Sequence, residues 1–237
     1  MCTLILAWQV FDGAPIAAAA NRDEATDRPS RPPGLLDRDP AVVAPQDEEA
    51  GGTWIGYNDA GVFVAVTNRR ADVQGERSRG LLVRDALARP SAAEAASFVR
   101  NELADREYAG FNLVIADDEE AGLLEWDGIL RTTHFDPGVH VVVNEGHNGD
   151  AAKAASVRQA VSVMPEMTVE EWLDRAAEVL RDHELAVCVH GEDYGTRSSS
   201  LVTVETEGRG RYWFADGRPC ETEYEVVADG DDADGQF

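Results

Sequence analysis

The sequence predicts an α+β fold whose sheets are built from antiparallel hairpins. Three observations carry this. Strand-like segments open and close the chain, and helical periodicity is confined to two blocks between them. Asp12-Gly13 falls between two apolar runs, a strong hairpin signal in that setting. Neither a strand–GxGxxG–helix unit nor a GxxxxGK[ST] loop occurs, so dinucleotide-binding and P-loop architectures find no support.

Taken in order, Thr3–Phe11 and Pro15–Ala20 are the arms of the first hairpin, which returns Asn21, Arg22, Asp23 and Glu24 beside Cys2. Residues Ala25–Pro40 hold four prolines and no periodicity, and are expected to form a long surface loop of the kind that borders functional sites. Ala41–Pro45 reads as a short strand, Gly51–Tyr57 as a glycine-flanked strand, and Val62–Thr67 as the return strand that ends at Asn68. Gly80–Ala88 has helical spacing and stops at Arg89-Pro90. Ser91-Ala-Ala-Glu94 opens a second helix with a capping pattern and runs to about Asp105. Phe111–Ala116 and Gly122–Asp127 form another hairpin, followed by strands at Ile129–Thr133 and Val139–Val143, the latter ending at Asn144. Two helices follow, Ala151–Val163 and Thr168–Asp182, the second opened by Thr168-Val-Glu-Glu171. Strands return at Ser199–Glu205, Arg211–Ala215 and Glu223–Val227.

At 237 residues the chain can bury one substantial core, and residues 1–228 are expected to form a single domain. Residues 229–237, with four aspartates, are expected to be a disordered acidic tail. No apolar run reaches the roughly 18 residues of a membrane span, and the N-terminus lacks the basic region of a signal peptide. Cys2, Cys188 and Cys220 leave an odd count for disulfides, so a reduced, cytoplasmic setting is expected. Cys188 lies in the apolar run Ala186–Val189 and is expected to be a buried strand residue. The five histidines and three cysteines show no ligand spacing, so no metal is expected.

Charge is the compositional outlier. There are 45 acids against 21 bases, a net charge of −24, and Lys153 is the only lysine. Acid spread along the whole chain, with arginine in place of lysine, resembles proteins from cells that hold molar salt. There the Debye length falls to about 3 Å and self-repulsion is screened. The same charge disfavours binding to a nucleic-acid backbone.

The candidate chemistry gathers on Cys2. Methionine is commonly trimmed before a small second residue, which would leave Cys2 with a thiol and a free α-amine on one residue. Their unperturbed pKa values, about 8.5 and roughly 7.7–8.0, nearly balance proton exchange. An arginine delivered beside the thiol is expected to tip it toward thiolate. A buried, inert cysteine is the competing reading.

Met1-Cys2, Asn21-Arg-Asp-Glu24, Gly52-Thr-Trp-Ile-Gly56 and Tyr194-Gly-Thr-Arg-Ser198 together resemble the NRDE family, the group of the transport and Golgi organisation protein. That family is similar to N-terminal nucleophile hydrolases of the choloylglycine hydrolase and penicillin V acylase branch. The resemblance implies a four-layer αββα sandwich of two antiparallel sheets, a cysteine that attacks a non-peptide C–N amide bond, and no cofactor. It implies a small acylated substrate, or a lipid-like ligand if the fold serves binding or trafficking instead, and it allows a homo-oligomer. Carried over, Cys2 is the nucleophile with its own α-amine as base, Arg22 and Asp23 match the arginine and aspartate after the second strand, Asn144 matches an asparagine that closes a middle strand, Asn68 more loosely the residue that helps hold the oxyanion, and Arg197 a late arginine. Asn21 and Trp54 are candidate substrate contacts; a tryptophan there is more often a core residue, and Asn68 and Asn144 equally fit strand-end turns. One departure stands out. Arg22 and Asp23 are adjacent here, whereas two residues separate them in the acylase branch, and neighbours on a regular strand face opposite ways.

The charge balance predicts salt-dependent folding. The thermal midpoint is expected to rise from dilute buffer to multi-molar KCl; a flat or falling profile contradicts the high-salt reading.

Overall fold

A computed structural model describes residues 2–228; Met1 and the acidic tail lie outside the described residues. Fourteen strands form two seven-stranded sheets. The first sheet has the order β11-β10-β1-β2-β12-β13-β14 and the second β3-β4-β5-β6-β7-β8-β9. Every strand pair is antiparallel.

In the first sheet, β1 (Thr3–Phe11) and β2 (Ala14–Ala25) form the opening hairpin. They are flanked by β10 (Gly138–Val143) and β12 (Tyr194–Val204). β11 (Gly146–His147), β13 (Gly210–Ala215) and β14 (Glu225–Ala228) complete it. The second sheet comprises β3 (Ser30–Arg38), β4 (Ala41–Asp47), β5 (Ile55–Asn58), β6 (Phe63–Asn68), β7 (Phe111–Ala116), β8 (Ala121–Trp126) and β9 (Leu130–His134).

Period-two alternation sorts each strand's side chains into separate cores. On β1 and β2, Leu4, Leu6, Trp8, Ile16 and Ala18 face the second sheet, where they meet Ile55, Phe63, Ala65 and Val114. Their neighbours Ile5, Ala7, Ala17 and Ala19 face helices α3 (Ala152–Ala160) and α4 (Val169–Leu180). The far face of the second sheet packs Val62, Val64, Leu113 and Ile115 on helices α1 (Arg79–Leu87) and α2 (Ala92–Asp105). The layers run helix, sheet, sheet, helix, the αββα arrangement of an α+β fold.

Local chemistry explains the ends of the helices. Ser78 caps α1 by accepting from the Gly80 N–H, and Ser91 caps α2 by accepting from the Glu94 N–H. Thr168 and Glu171 close a full capping box on α4. Each helix begins within a residue of the expected start, and all four are shorter than or equal to their expected spans.

Three expectations need correction. Residues Ala25–Pro40 are not a loop: β2 continues to Ala25 and Ser30–Arg38 is the edge strand β3. Pro32 and Pro33 fall where the β3–β4 register shifts, between Arg31 and Gly34, so at an edge they cost no ladder hydrogen bond. The strand expected at Gly51–Tyr57 begins only at Ile55, because residues 51–54 bend to meet α1. Cys188 is buried as expected but lies in the turn-rich connection after α4, where the Asp182 carbonyl accepts from the Val187 and Cys188 N–H groups. Among the described residues no helix is long and apolar enough to cross a membrane.

Trp172 is the largest fully buried side chain; it donates to the Val161 carbonyl at 3.0 Å and meets the Phe11 ring at a centroid distance of 5.9 Å. Trp172→Ala is expected to lower the unfolding free energy by about 3–5 kcal/mol, as large-to-small core changes do. Denaturant unfolding in molar KCl measures it; a loss below about 1 kcal/mol contradicts this packing account.

Candidate active site

The site is built at the start of β1. Thr3 pairs with Val143 on β10 and with Asn21 on β2. Continuing both registers by one residue sets Cys2 between Asn144 and Arg22, and Arg22 in turn pairs with Ser198 on β12. Alternation puts this row on the same face as Leu4, Ala18, Val142 and Val202, the face turned toward the second sheet. Asn21 and Asp23 take the opposite, helix-facing side with Ala17 and Ala19.

The adjacent Arg22 and Asp23 are therefore split by the strand, as regular alternation demands. β2 keeps an unbroken register through both residues, and the irregularity is on β12, where Arg197 is an extra residue between the pairs Thr196–Asp23 and Ser198–Arg22. Asp23 still reaches the thiol through its backbone: the Cys2 S–H donates to the Asp23 carbonyl at 3.7 Å, and the Tyr194 hydroxyl donates to the same oxygen at 2.9 Å. The Asp23 carboxylate accepts from Thr196 Oγ1 at 2.6 Å.

Arg22 is 6% exposed and is held from two sides. Its guanidinium lies 4.2 Å from the centroid of the Trp54 ring, and Nη2 is 3.9 Å from Asp47 Oδ2. Asp47 is fixed in turn by Arg28 at 2.8 Å and by the N–H groups of Glu49 and Ala50. Trp54 thus seats Arg22. Asn21 donates both amide hydrogens to backbone carbonyls, Leu180 at 2.8 Å and Val187 at 3.0 Å, which ties β2 to the end of α4.

Asn144 is buried directly after β10. Asn68 is not brought into the row. It pairs with Phe111, whose ring belongs to the helix-side core, while the inward positions go to Thr67 and Asn112. Asn112 bridges the sheets there: it donates to the Val143 carbonyl at 2.9 Å and accepts from Arg69 Nη1 at 3.1 Å.

Several contributors have no motif in the sequence. Arg79, the first residue of α1, donates to the Gly110 carbonyl at 2.8 Å and lies within electrostatic reach of Cys2 and Glu24. Its approach depends on Gly52, where an added Cβ would sit 2.2 Å from the Gly80 backbone carbon. The one signal was the glycine flank of the Gly52–Gly56 motif. Lys153, at the start of α3, donates to the Ala186 carbonyl at 2.7 Å and lies within electrostatic reach of Asp23, Glu145 and Cys2. A sole lysine in a chain of arginines was a usable sign.

The expected thiolate is not what the surroundings favour. Burial pushes the Cys2 thiol above its ordinary pKa, and the Asp23 and Glu24 charges push the same way. Burial also raises the Asp23 carboxyl, with Thr196 opposing, and lowers Arg22, with Glu24 and Asp47 opposing. Cys188 is held up to about 12, chiefly by burial. Arg22 Nη1, Asn144 Oδ1, Ser198 Oγ and Arg197 Nε are buried and have no hydrogen-bond partner among the described residues. Unpartnered polar atoms are rare in protein interiors, and these four belong to the row and to the extra residue beside it. A surface cleft of about 520 Å³ beside Val10, Val139 and Arg158 lies at the other end of β1 and is lined by none of these residues.

Residues 1–215 match the model of the family described as Transport and Golgi organisation 2. The chain belongs to that family. Among its relatives, the Transport and Golgi organization protein 2 homolog of Bos taurus is 26% identical over 243 residues, covering 84% of this chain and 87% of the relative. The fold is similar to penicillin V acylase from Agrobacterium tumefaciens, with a TM-score of 0.61, 15% identity, and coverage of 91% of this chain and 83% of that one. It is similar as well to a variant of conjugated bile acid hydrolase from Clostridium perfringens, with a TM-score of 0.58, 13% identity, and coverage of 100% and 95%. This member of the Transport and Golgi organisation 2 family thus has the fold of N-terminal nucleophile hydrolases.

His183, Cys188, His190 and Cys220, which show no ligand spacing in the sequence, converge beside β12 through side chains that the fold brings together.

Opposite charge substitutions should move the Cys2 thiol in opposite directions. Asp23→Asn removes an anion that raises its pKa, so the pH profile of Cys2 alkylation by iodoacetamide, followed by peptide mass mapping, is expected to shift to lower pH. Arg22→Ala removes a cation and shifts it to higher pH. An unmoved profile in both variants contradicts the site.

Proposed function

We propose that the chain is a cysteine N-terminal nucleophile amidohydrolase that cleaves a non-peptide C–N amide bond in a small acylated substrate. The observation that carries this is the row Asn144–Cys2–Arg22–Ser198, with buried polar atoms of Asn144, Arg22 and Ser198 that lack partners among the described residues. Fold similarity to a penicillin V acylase and a conjugated bile acid hydrolase supports it.

Once Met1 is removed, the Cys2 α-amine takes the thiol proton as Sγ attacks the substrate carbonyl carbon. A raised thiol pKa makes this transfer necessary, because little thiolate stands ready at neutral pH. The oxyanion forms beside Asn144, whose amide N–H stabilises it, and the Arg22 charge favours the developing anion. The C–N bond breaks as the α-ammonium protonates the leaving nitrogen, leaving a thioester. Water then attacks the thioester with the α-amine as base, releasing the acid and restoring the thiol. Asp23 and Thr196 position the amine end of Cys2.

A second reading, a ligand-binding protein on the same fold, is favoured by the raised Cys2 pKa alone. Hydrolysis separates the two. The full chain, incubated in molar KCl with a panel of N-acyl amides, is expected to release free amine, with an intact mass that lacks Met1. Asn144→Ala is expected to lower kcat about 100- to 1,000-fold, the usual effect of losing one oxyanion donor. Methionine retained in every molecule, or no amine released above a Cys2→Ala control, favours binding without chemistry.

A further inference from the structure

We propose that His183, Cys188, His190 and Cys220 form a four-coordinate structural site for a divalent metal, zinc by its ligand chemistry. Three ligands come from the connection between α4 and β12, and the fourth from the turn after β13. Their four donor atoms all lie within 4.8 Å of one another. The Cys188 and Cys220 sulfurs are 3.4 Å apart, His190 Nε2 is 3.1 Å from the Cys220 sulfur, and it is 3.8 Å from the Cys188 sulfur. A tetrahedral ion with bonds of about 2.3 Å to sulfur and 2.0–2.1 Å to nitrogen needs donor separations of roughly 3.3–3.8 Å. Two of the three separations, 3.4 and 3.8 Å, fall within that range and the third, 3.1 Å, lies just below it; the His183 donor lies within 4.8 Å of the others.

The outer contacts fit as well. A ligating imidazole commonly offers its other nitrogen to a carbonyl or carboxylate, which fixes the ring. His183 Nδ1 lies 3.1 Å from the Cys188 carbonyl oxygen, and His190 Nδ1 lies 3.9 Å from Glu221 Oε1. The two rings meet edge to face at a centroid distance of 4.7 Å. Two soft thiolates with two imidazoles favour zinc over the oxygen-seeking calcium and magnesium. Four protein ligands leave no open position, so the ion acts as a staple.

What it staples is the floor of the candidate active site. The same loop supplies the Val187 carbonyl to Asn21 at 3.0 Å, and its Val189 N–H donates to Thr196 Oγ1 at 2.9 Å. Thr196 is the hydroxyl that holds the Asp23 carboxylate. The ion therefore braces β2 and β12 from the outside, whether or not Cys2 performs chemistry.

The test uses untagged full-length chain purified with reductant in molar KCl. Elemental analysis is expected to find a single zinc per chain. Chelation is expected to lower the thermal midpoint, and cobalt added to the apoprotein to give the intense d–d and sulfur-to-cobalt bands of a tetrahedral thiolate site. Cys220→Ser is expected to abolish those bands and lower zinc affinity at least tenfold. The apoprotein titration keeps the test valid if that variant does not fold. Wild-type chain that takes up neither zinc nor cobalt, cobalt bands that persist in Cys220→Ser, or Cys188 and Cys220 joined as a disulfide in protein isolated anaerobically overturns the proposal.

Discussion

The register of the opening hairpin constrains everything at the site. Pairing Thr3 with Asn21 fixes which residue stands beside Cys2, and the pleat then assigns every neighbour to one of two faces. A slip of one residue would send Arg22 to the helices and Asp23 into the space between the sheets. Two features resist such a slip. Asp12 and Gly13 close the turn, with Gly13 at φ 78°, a left-handed conformation that glycine adopts without a Cβ clash. The alternating Leu4, Leu6 and Trp8 are needed in one core, and Ile5 and Ala7 in the other.

That constraint gives the two charged neighbours of Cys2 different work. Arg22 shares the thiol's face and supplies charge, seated by Trp54 and Asp47. Asp23 acts from behind, through its carbonyl on the thiol and through a carboxylate bound to Thr196. Burial that allows a dry, polar-lined site also holds the Cys2 proton on sulfur. In the proposed mechanism activation depends on an adjacent base more than on a standing thiolate, the role assigned there to the Cys2 α-amine.

Much of this was legible in the chain because it is local. Asp12-Gly13 marks the hairpin, and Ser78, Ser91 and Thr168 with Glu171 mark helix starts through capping that needs only three residues of context. Cys2, Arg22, Asn144 and Ser198 meet through strand ends whose order and faces follow once the pairing is known. What hid from the sequence is non-local. The prolines of β3 read as loop because an edge position cannot be told from composition. Asn68 matches an oxyanion donor loosely by sequence, yet the face it takes depends on a pairing with Phe111, more than 40 residues away in the chain. Asp47, Arg79, Asn112 and the histidine–cysteine cluster come together only through packing of separate layers.

The central claim is that Cys2, flanked by Arg22 and Asn144, is a built nucleophilic site. A β-lactone tests it most directly, because ring opening by a competent thiol leaves a thioester of known added mass on one residue. The account predicts that limiting lactone modifies Cys2 well before Cys188 or Cys220, and that Arg22→Ala and Asn144→Ala each slow that labelling. Acylation spread evenly over the three thiols, or unaffected by both variants, contradicts it.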